Sequence, residues 1–327
     1  MISRKCKNRR DFMKTALAGS LGAALPLAAP MGNTASQIVP KRTLGKTGMK
    51  ISVLSFGGGS QFLNNPDGTW EPMLEKAIED GINLFDTSPD YTNPSMSSEE
   101  RFGEILPAYR DRIYISTKFD RRVPNQALQE FERSLNRMKI DYVDILLIHS
   151  IEEADTISAL EKGVYKRAQQ LKEEGVVKYI GFSSMNSANR SREFLEKLDV
   201  DVCLLALSPT GYGNFISRTL PVAHEKNVGV LAMKIMRDVV GKNAPPQELL
   251  NYAWTLPGVA SAVVGHHRSN TLQENISIAR QLTTSSIENF DRYSAWHEHM
   301  HRKLAHLSGP HALCWAREDY PERTYPG

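Results

Sequence analysis

Cysteine is scarce in this chain of 327 residues: Cys6, Cys203 and Cys314 lie far apart. That spacing excludes a paired metal motif and gives no disulfide framework. Charge of one sign is lacking too. Forty Lys and Arg stand against 37 Asp and Glu, a net charge of +3, and no basic run interleaves with aromatics. Nucleic acid and an anionic membrane surface are therefore poor partners for it. Long hydrophobic runs are missing. The mostly apolar stretch from Ala16 to Ala29 contains Gly19, Gly22 and Pro26 and is too short and too weakly apolar to span a membrane. With hydrophobic residues at 41% and charged residues at 24%, the composition is that of an ordinary globular protein. The length suits one large domain with appendages.

The apolar stretch has instead the shape of a signal-peptide core. A basic head of Arg4, Lys5, Lys7, Arg9 and Arg10 precedes it. Asn8-Arg9-Arg10-Asp11-Phe12-Met13-Lys14 resembles the twin-arginine export signal of bacteria, which implies the export machinery as a partner and the periplasm as destination. Residues 1–36 are set apart as leader. Pro30 disfavours a cut after Ala29, and Asn33-Thr34-Ala35 is a loose small-residue site. Export of this type moves folded proteins and suits a domain that takes up a cofactor before it leaves.

From Lys41 a regular alternation begins. Arg42-Thr43-Leu44 and Met49-Lys50-Ile51 read as a hairpin around Gly45-Lys46-Thr47-Gly48. Short apolar strands then end at Phe56, Phe85, Thr117, Ile148, Phe182, Leu205, Met233 and Val264, each followed by a helical pattern. Among those patterns, Ile157 to Glu174 reads as one helix. Gly57-Gly58-Gly59 is no phosphate loop; it reads as a place where backbones approach closely at a strand end. Eight strand–helix units predict an α/β fold, a closed (β/α)8 TIM barrel over residues 41–281. A C-terminal helix (Ile287 to Leu307) and an irregular tail make up 282–327.

The chemistry-bearing residues stand at consecutive strand ends. Asp86 closes the second barrel strand, Tyr91 follows five residues on, Lys118 ends the third and His149 follows the fourth. In a parallel barrel these ends converge on one face, so the four would form a proton-transfer group. Here the chain resembles the aldo-keto reductases, through Phe85-Asp86-Thr87 with Tyr91, Ser116-Thr117-Lys118, Leu147-Ile148-His149, Gly181-Phe182-Ser183-Ser184, and Gly265 with Glu274-Asn275. The resemblance implies a nicotinamide-dependent carbonyl reductase with Asp86, Tyr91, Lys118 and His149 as its catalytic set. A phenol ionises near pH 10, so Tyr91 can hold a proton at neutral pH and release it to a developing alkoxide. Lys118 would favour the ionised phenol, Asp86 would keep Lys118 charged and aimed, and His149 would orient the carbonyl.

For the cofactor, the resemblance points to Ser183, Ser184, Met233, Lys234, Gly265, Arg268, Glu274 and Asn275. Ser184 stands where Asn is commoner, Leu204 where a Gln is usual, and Met233 where an aromatic ring usually stacks. Arg268, at the start of the last barrel helix, offers a planar fork for the 2′-phosphate of NADPH. No metal is implied. Two other readings stand beside this one. The departures at Ser184, Leu204 and Met233 suit a redox-sensing barrel that binds NADPH with little turnover. His297-Glu298-His299-Met300-His301 fits H-E-x-x-H, the mark of a zinc hydrolase when it lies on a helix.

Overall fold

The computed structural model describes residues 38–237, 239–241, 243–282 and 290–307, all within the compact unit Ala35–Gly327. The leader at 1–36 with Cys6, Arg9 and Arg10, and the tail with Cys314, lie outside the described residues. An antiparallel hairpin comes first, β1 (Lys41–Thr43) with β2 (Lys50–Ser52). Eight parallel strands follow: β3 (Leu54–Gly57), β4 (Leu84–Asp86), β5 (Tyr114–Phe119), β6 (Val143–Ile148), β7 (Val177–Ser184), β8 (Val202–Ala206), β9 (Gly229–Met233) and β10 (Val259–Gly265). Each pairs with the next in sequence, and β10 pairs with β3, so the barrel closes as expected.

Parallel strands buried on both faces must be apolar almost throughout. In β6 every residue is buried, and its one charge, Asp144, is fully engaged. Asp144 accepts from the Ile115 amide (2.9 Å) and pairs with Arg110 (2.7 Å) and Lys178 (3.0 Å). The barrel interior is a separate apolar cluster that includes Leu84, Ile145, Leu147, Val202, Leu204 and Leu231. Leu44, Met49 and Ile51 of the hairpin join that cluster, so the hairpin plugs the end where the strands begin. Gly45 makes this possible: at φ +46° a Cβ there would lie 2.4 Å from the Gly229 amide nitrogen.

The outer ring follows the predicted helices closely. It includes α2 (Trp70–Glu79), α3 (Ser98–Ile105), α4 (Pro124–Met138), α7 (Ala188–Lys197), α9 (Leu220–Glu225) with the short α8 (Phe215–Arg218) before it, α10 (Pro246–Trp254) and α11 (Ser269–Arg280). A four-residue α1 (Ser60–Leu63) lies in a stretch that reads as loop in sequence. The single helix expected from Ile157 to Glu174 is broken. It consists of α5 (Ile157–Leu160), a wide turn over Glu161–Tyr165, and α6 (Lys166–Glu173). Gly163 sits in that turn at φ −102°, ψ −113°, outside helical space, where the absence of a side chain makes the break inexpensive.

The histidine pair of the zinc reading docks one helix on another. Helix α12 (Phe290–Leu304) lies against α10, with His297 Nε2 2.8 Å from Thr255 Oγ1 and His301 Nε2 2.8 Å from the Tyr252 hydroxyl. Both rings stand edge-on to the Tyr252 ring, and Met300 and Leu304 of the same helix are buried. Residues four apart share a helix face, and here that face meets α10. Burial holds both imidazoles below their usual proton affinity.

Candidate active site

Strand register builds the centre. Asp86 lies beside Ser116 in the β4–β5 pairing, and Lys118, two residues on, points to the same side as Ser116. Lys118 Nζ donates to Asp86 Oδ2 (2.8 Å) and to the Thr87 carbonyl (2.6 Å). Ser116 Oγ donates to the other Asp86 oxygen at 2.9 Å. Asp86 and Lys118 are 3% and 0% exposed, so each is the other's charge compensation in a site closed to water. The chain then turns back, with the Tyr91 amide donating to the Ser88 carbonyl (3.0 Å) and the Ser98 amide to the Tyr91 carbonyl (2.8 Å). This brings the Tyr91 ring over Lys118, with Nζ 4.9 Å from the ring centroid. The His149 ring stands edge-on to Tyr91 at 5.9 Å. All four residues singled out in the sequence thus meet in one cluster.

The glycine run works as a spacer. The Gly58 amide donates to the Asp86 carbonyl at 2.7 Å, and a Cβ on Gly58 would lie 2.2 Å from Ser98 Oγ. A side chain there would collide first with Ser98 of α3 and press on the Asp86 carbonyl at 3.0 Å.

A second set of polar residues escaped the sequence reading. Asp120 Oδ1 meets His149 Nδ1 in a short hydrogen bond, while Asp120 Oδ2 accepts from Ser88 Oγ (2.6 Å) and the Asp90 amide (3.2 Å). Glu130 of α4 accepts from the Asp120 amide at 3.0 Å, and Arg122 Nη2 donates to the His149 carbonyl at 2.8 Å. Burial and the facing carboxylates of Asp120 and Asp90 push Glu130 up to about 7. The available signal was the strand period: Asp120 is two residues beyond Lys118 and continues its face.

Beside Tyr91 and Asp86 opens a cavity of about 500 Å³. Met233, Lys234, Gly265, Glu274 and Asn275 line it, as the sequence reading places them. Ser183 and Ser184 do not. Ser183 Oγ accepts from the Ser150 amide (2.9 Å) and Ser184 Oγ donates to the Ile151 carbonyl (2.8 Å), so both hydroxyls tie β7 to the end of β6. Leu204 lines the cavity next to them. Arg268 lies outside the cavity lining. It is exposed at the extended residue before α11, and its neighbour His267 lines the cavity instead, together with Thr271. Backbone alternation past β10 explains the exchange: successive residues of an extended chain face opposite ways. Gly57, Gly59, Gln61 and Arg237 also line the cavity and were missed. Among the described residues, Lys234, held at φ +61°, and Arg237 bring positive charge to the cavity wall.

Comparison with known proteins agrees with this architecture. The model of the aldo/keto reductase family matches residues 53–238, more than half of the chain. An L-galactose dehydrogenase of Arabidopsis thaliana is 30% identical over 70% of this chain and 75% of its own length. An uncharacterized oxidoreductase of Bacillus subtilis is 28% identical over 76% of this chain and 94% of its own. Among solved structures, a putative aldo-keto reductase from Pseudomonas aeruginosa superposes with a TM-score of 0.65 at 25% identity, covering 76% of this chain and 98% of that one. The chain belongs to the aldo/keto reductase family. It is therefore an oxidoreductase of a family that works with nicotinamide cofactors.

Proposed function

We propose that this protein uses NADPH to reduce an aldehyde or ketone to an alcohol, with Tyr91 as proton donor. The observation that carries the reading is the Lys118 ammonium, fixed by Asp86 at 2.8 Å and lying 4.9 Å from the centre of the Tyr91 ring at the cavity wall. The cavity suits a dinucleotide. Its walls at Gly57, Gly59 and Gly265 carry no side chains, and a Cβ on Gly265 would come within 3.0 Å of Gln61 Cβ. Lys234 and Arg237 supply positive charge for phosphates, and α11 begins at its edge. Bound there, the cofactor supplies the hydride.

The chain's own residues would do the rest. Tyr91 gives its proton to the oxygen that becomes negative as hydride reaches carbon. The buried Lys118 cation favours the phenolate left behind, because a nearby opposite charge stabilises the ionised form. Asp86 compensates the Lys118 charge in its buried place and aims it. His149 orients the carbonyl through its ring edge. The preference for NADPH over NADH rests on Lys234 and Arg237 at the cavity wall. NADPH should bind at least about tenfold more tightly, the size of one charge-assisted hydrogen bond. Fluorescence titration with both cofactors checks this, and equal affinities would remove the phosphate preference.

A redox-sensing role with slow turnover remains the second reading, favoured by one observation. Leu204 stands at the cavity wall, and the hydroxyls of Ser183 and Ser184 are used internally, so this wall offers few polar partners for the nicotinamide amide.

We place the protein in the periplasm, delivered by twin-arginine export, on the strength of Arg9-Arg10 ahead of the apolar run. Replacing both with Lys should hold the folded, cofactor-bound protein in the cytoplasm. Cell fractionation tests this, and unchanged periplasmic delivery would end the export reading.

A further inference from the structure

We propose that Asp120 is a positioning residue that holds His149 as a doubly protonated imidazolium, so that Nε2–H rather than a bare nitrogen meets the substrate oxygen. The inference rests on the carbonyl-reductase reading and deepens it. Asp120 and His149 are both buried, with side chains 1% and 8% exposed, and are joined through Nδ1 and Oδ1. A carboxylate accepts there, so Nδ1 carries a proton. The remaining question is Nε2. A carbonyl oxygen only accepts hydrogen bonds, so a neutral ring with its proton on Nδ1 would set lone pair against lone pair. Only the imidazolium donates to Asp120 and to a carbonyl at once.

The surroundings decide which form is held. Asp120 Oδ2 takes hydrogen bonds from Ser88 Oγ and the Asp90 amide, and both favour the carboxylate. Asp90 and Glu130 face Asp120 as further carboxyls, with one oxygen of each within 4.8 Å of the others. Burial, added to their repulsion, raises Glu130 to about 7, so near neutral pH it carries only part of a negative charge. Glu130 also receives Arg121 at 3.2 Å. On the other side, Arg122 reaches the His149 carbonyl and is itself neutralised by Asp155 at 2.8 Å. Lys118 is neutralised by Asp86. The charge facing the His149 ring is thus negative, from Asp120 at hydrogen-bond contact with Asp90 and Glu130 behind it. A buried carboxylate in that place favours the charged ring.

Histidine ¹⁵N resonances of the full-length protein test this without turnover. His149 is assigned from a His149→Gln spectrum, and the exposed His306 serves as internal reference. In the wild type both His149 nitrogens should remain protonated at a pH where His306 has become neutral. In Asp120→Asn the His149 proton should be lost at least about one pH unit earlier, a tenfold change in population per unit. The alkaline limb of kcat/KM for aldehyde reduction should move by the same amount, with activity recovering near pH 6, and Asp120→Glu should restore the wild-type limb. A wild-type His149 that titrates alongside His306 overturns the proposal. So does an Asp120→Asn loss of equal size at every pH, since that marks a merely structural role. If Asp120→Asn does not fold, the wild-type titration decides alone. If the wild type reduces no carbonyl while His149 stays charged, the reductase reading fails and the Asp120–His149 pairing stands.

Discussion

Tyr91→Phe is expected to lower the rate of NADPH oxidation by a reactive aldehyde at least about a hundredfold, with NADPH affinity and melting temperature close to wild type. The ring is kept, and with it the contacts to Lys118 and His149. What is removed is the phenolic proton, and general acid catalysis is typically worth about 10²–10⁴-fold. The loss should fall on kcat, because the proton moves only as the alkoxide develops. Lys118→Met should show a similar kinetic loss but is a less clean variant. It strands the Asp86 carboxylate in a buried site with Ser116 Oγ as its remaining side-chain hydrogen-bond donor, and breaking a buried pair costs about 3–5 kcal/mol. Single-turnover absorbance of bound NADPH, compared between wild type and Tyr91→Phe across aldehydes and ketones, is the measurement. Equal rates in the two proteins would leave the four residues without a catalytic role and favour the sensor.

Acid lability centred on His266 is the second large effect. This ring is 0% exposed, neither nitrogen has a hydrogen-bond partner among the described residues, and the Phe56 ring lies 5.4 Å away. Burial, with a smaller contribution from His267, lowers its proton affinity to about 3 from an ordinary 6.5. Between those two values the unfolded chain binds a proton that the folded chain refuses. Stability is therefore full above pH 6.5 and falls as the pH drops toward 3, by roughly 1.4 kcal/mol per unit. From pH 6.5 to 4 the loss is about 3 kcal/mol, a large share of the 5–15 kcal/mol typical of a folded domain. His266→Leu should be at least as stable at neutral pH, because it removes two unpaired buried nitrogens. It should also lose the His266 share of the acid slope. Urea unfolding at several pH values reads both quantities. Parallel slopes for variant and wild type would show that His266 is protonated in the folded state.

The sequence alone carried the barrel and the centre of its site, for a local reason. Buried parallel strands must be nearly continuous apolar runs, and helices between them show their own period, so eight units are countable from residue types. Asp86, Lys118 and His149 stand at strand ends, and in a parallel barrel those ends share one face whatever the loops do. The tertiary structure decided what depends on the next few residues beyond each strand. There a one-residue step reverses a side chain's direction. Thus His267, not Arg268, lines the cavity; within β7 it is the neighbouring backbone after β6 that takes up the hydroxyls of Ser183 and Ser184. The same holds where partners are remote in sequence. Asp120 reads as an ordinary loop acid until β5 and β6 set it against His149, and the partners of His297 and His301 appear only once α12 lies on α10. Periodicity fixes which face a residue takes within an element. What that face meets is set by the packing of elements far apart in the chain.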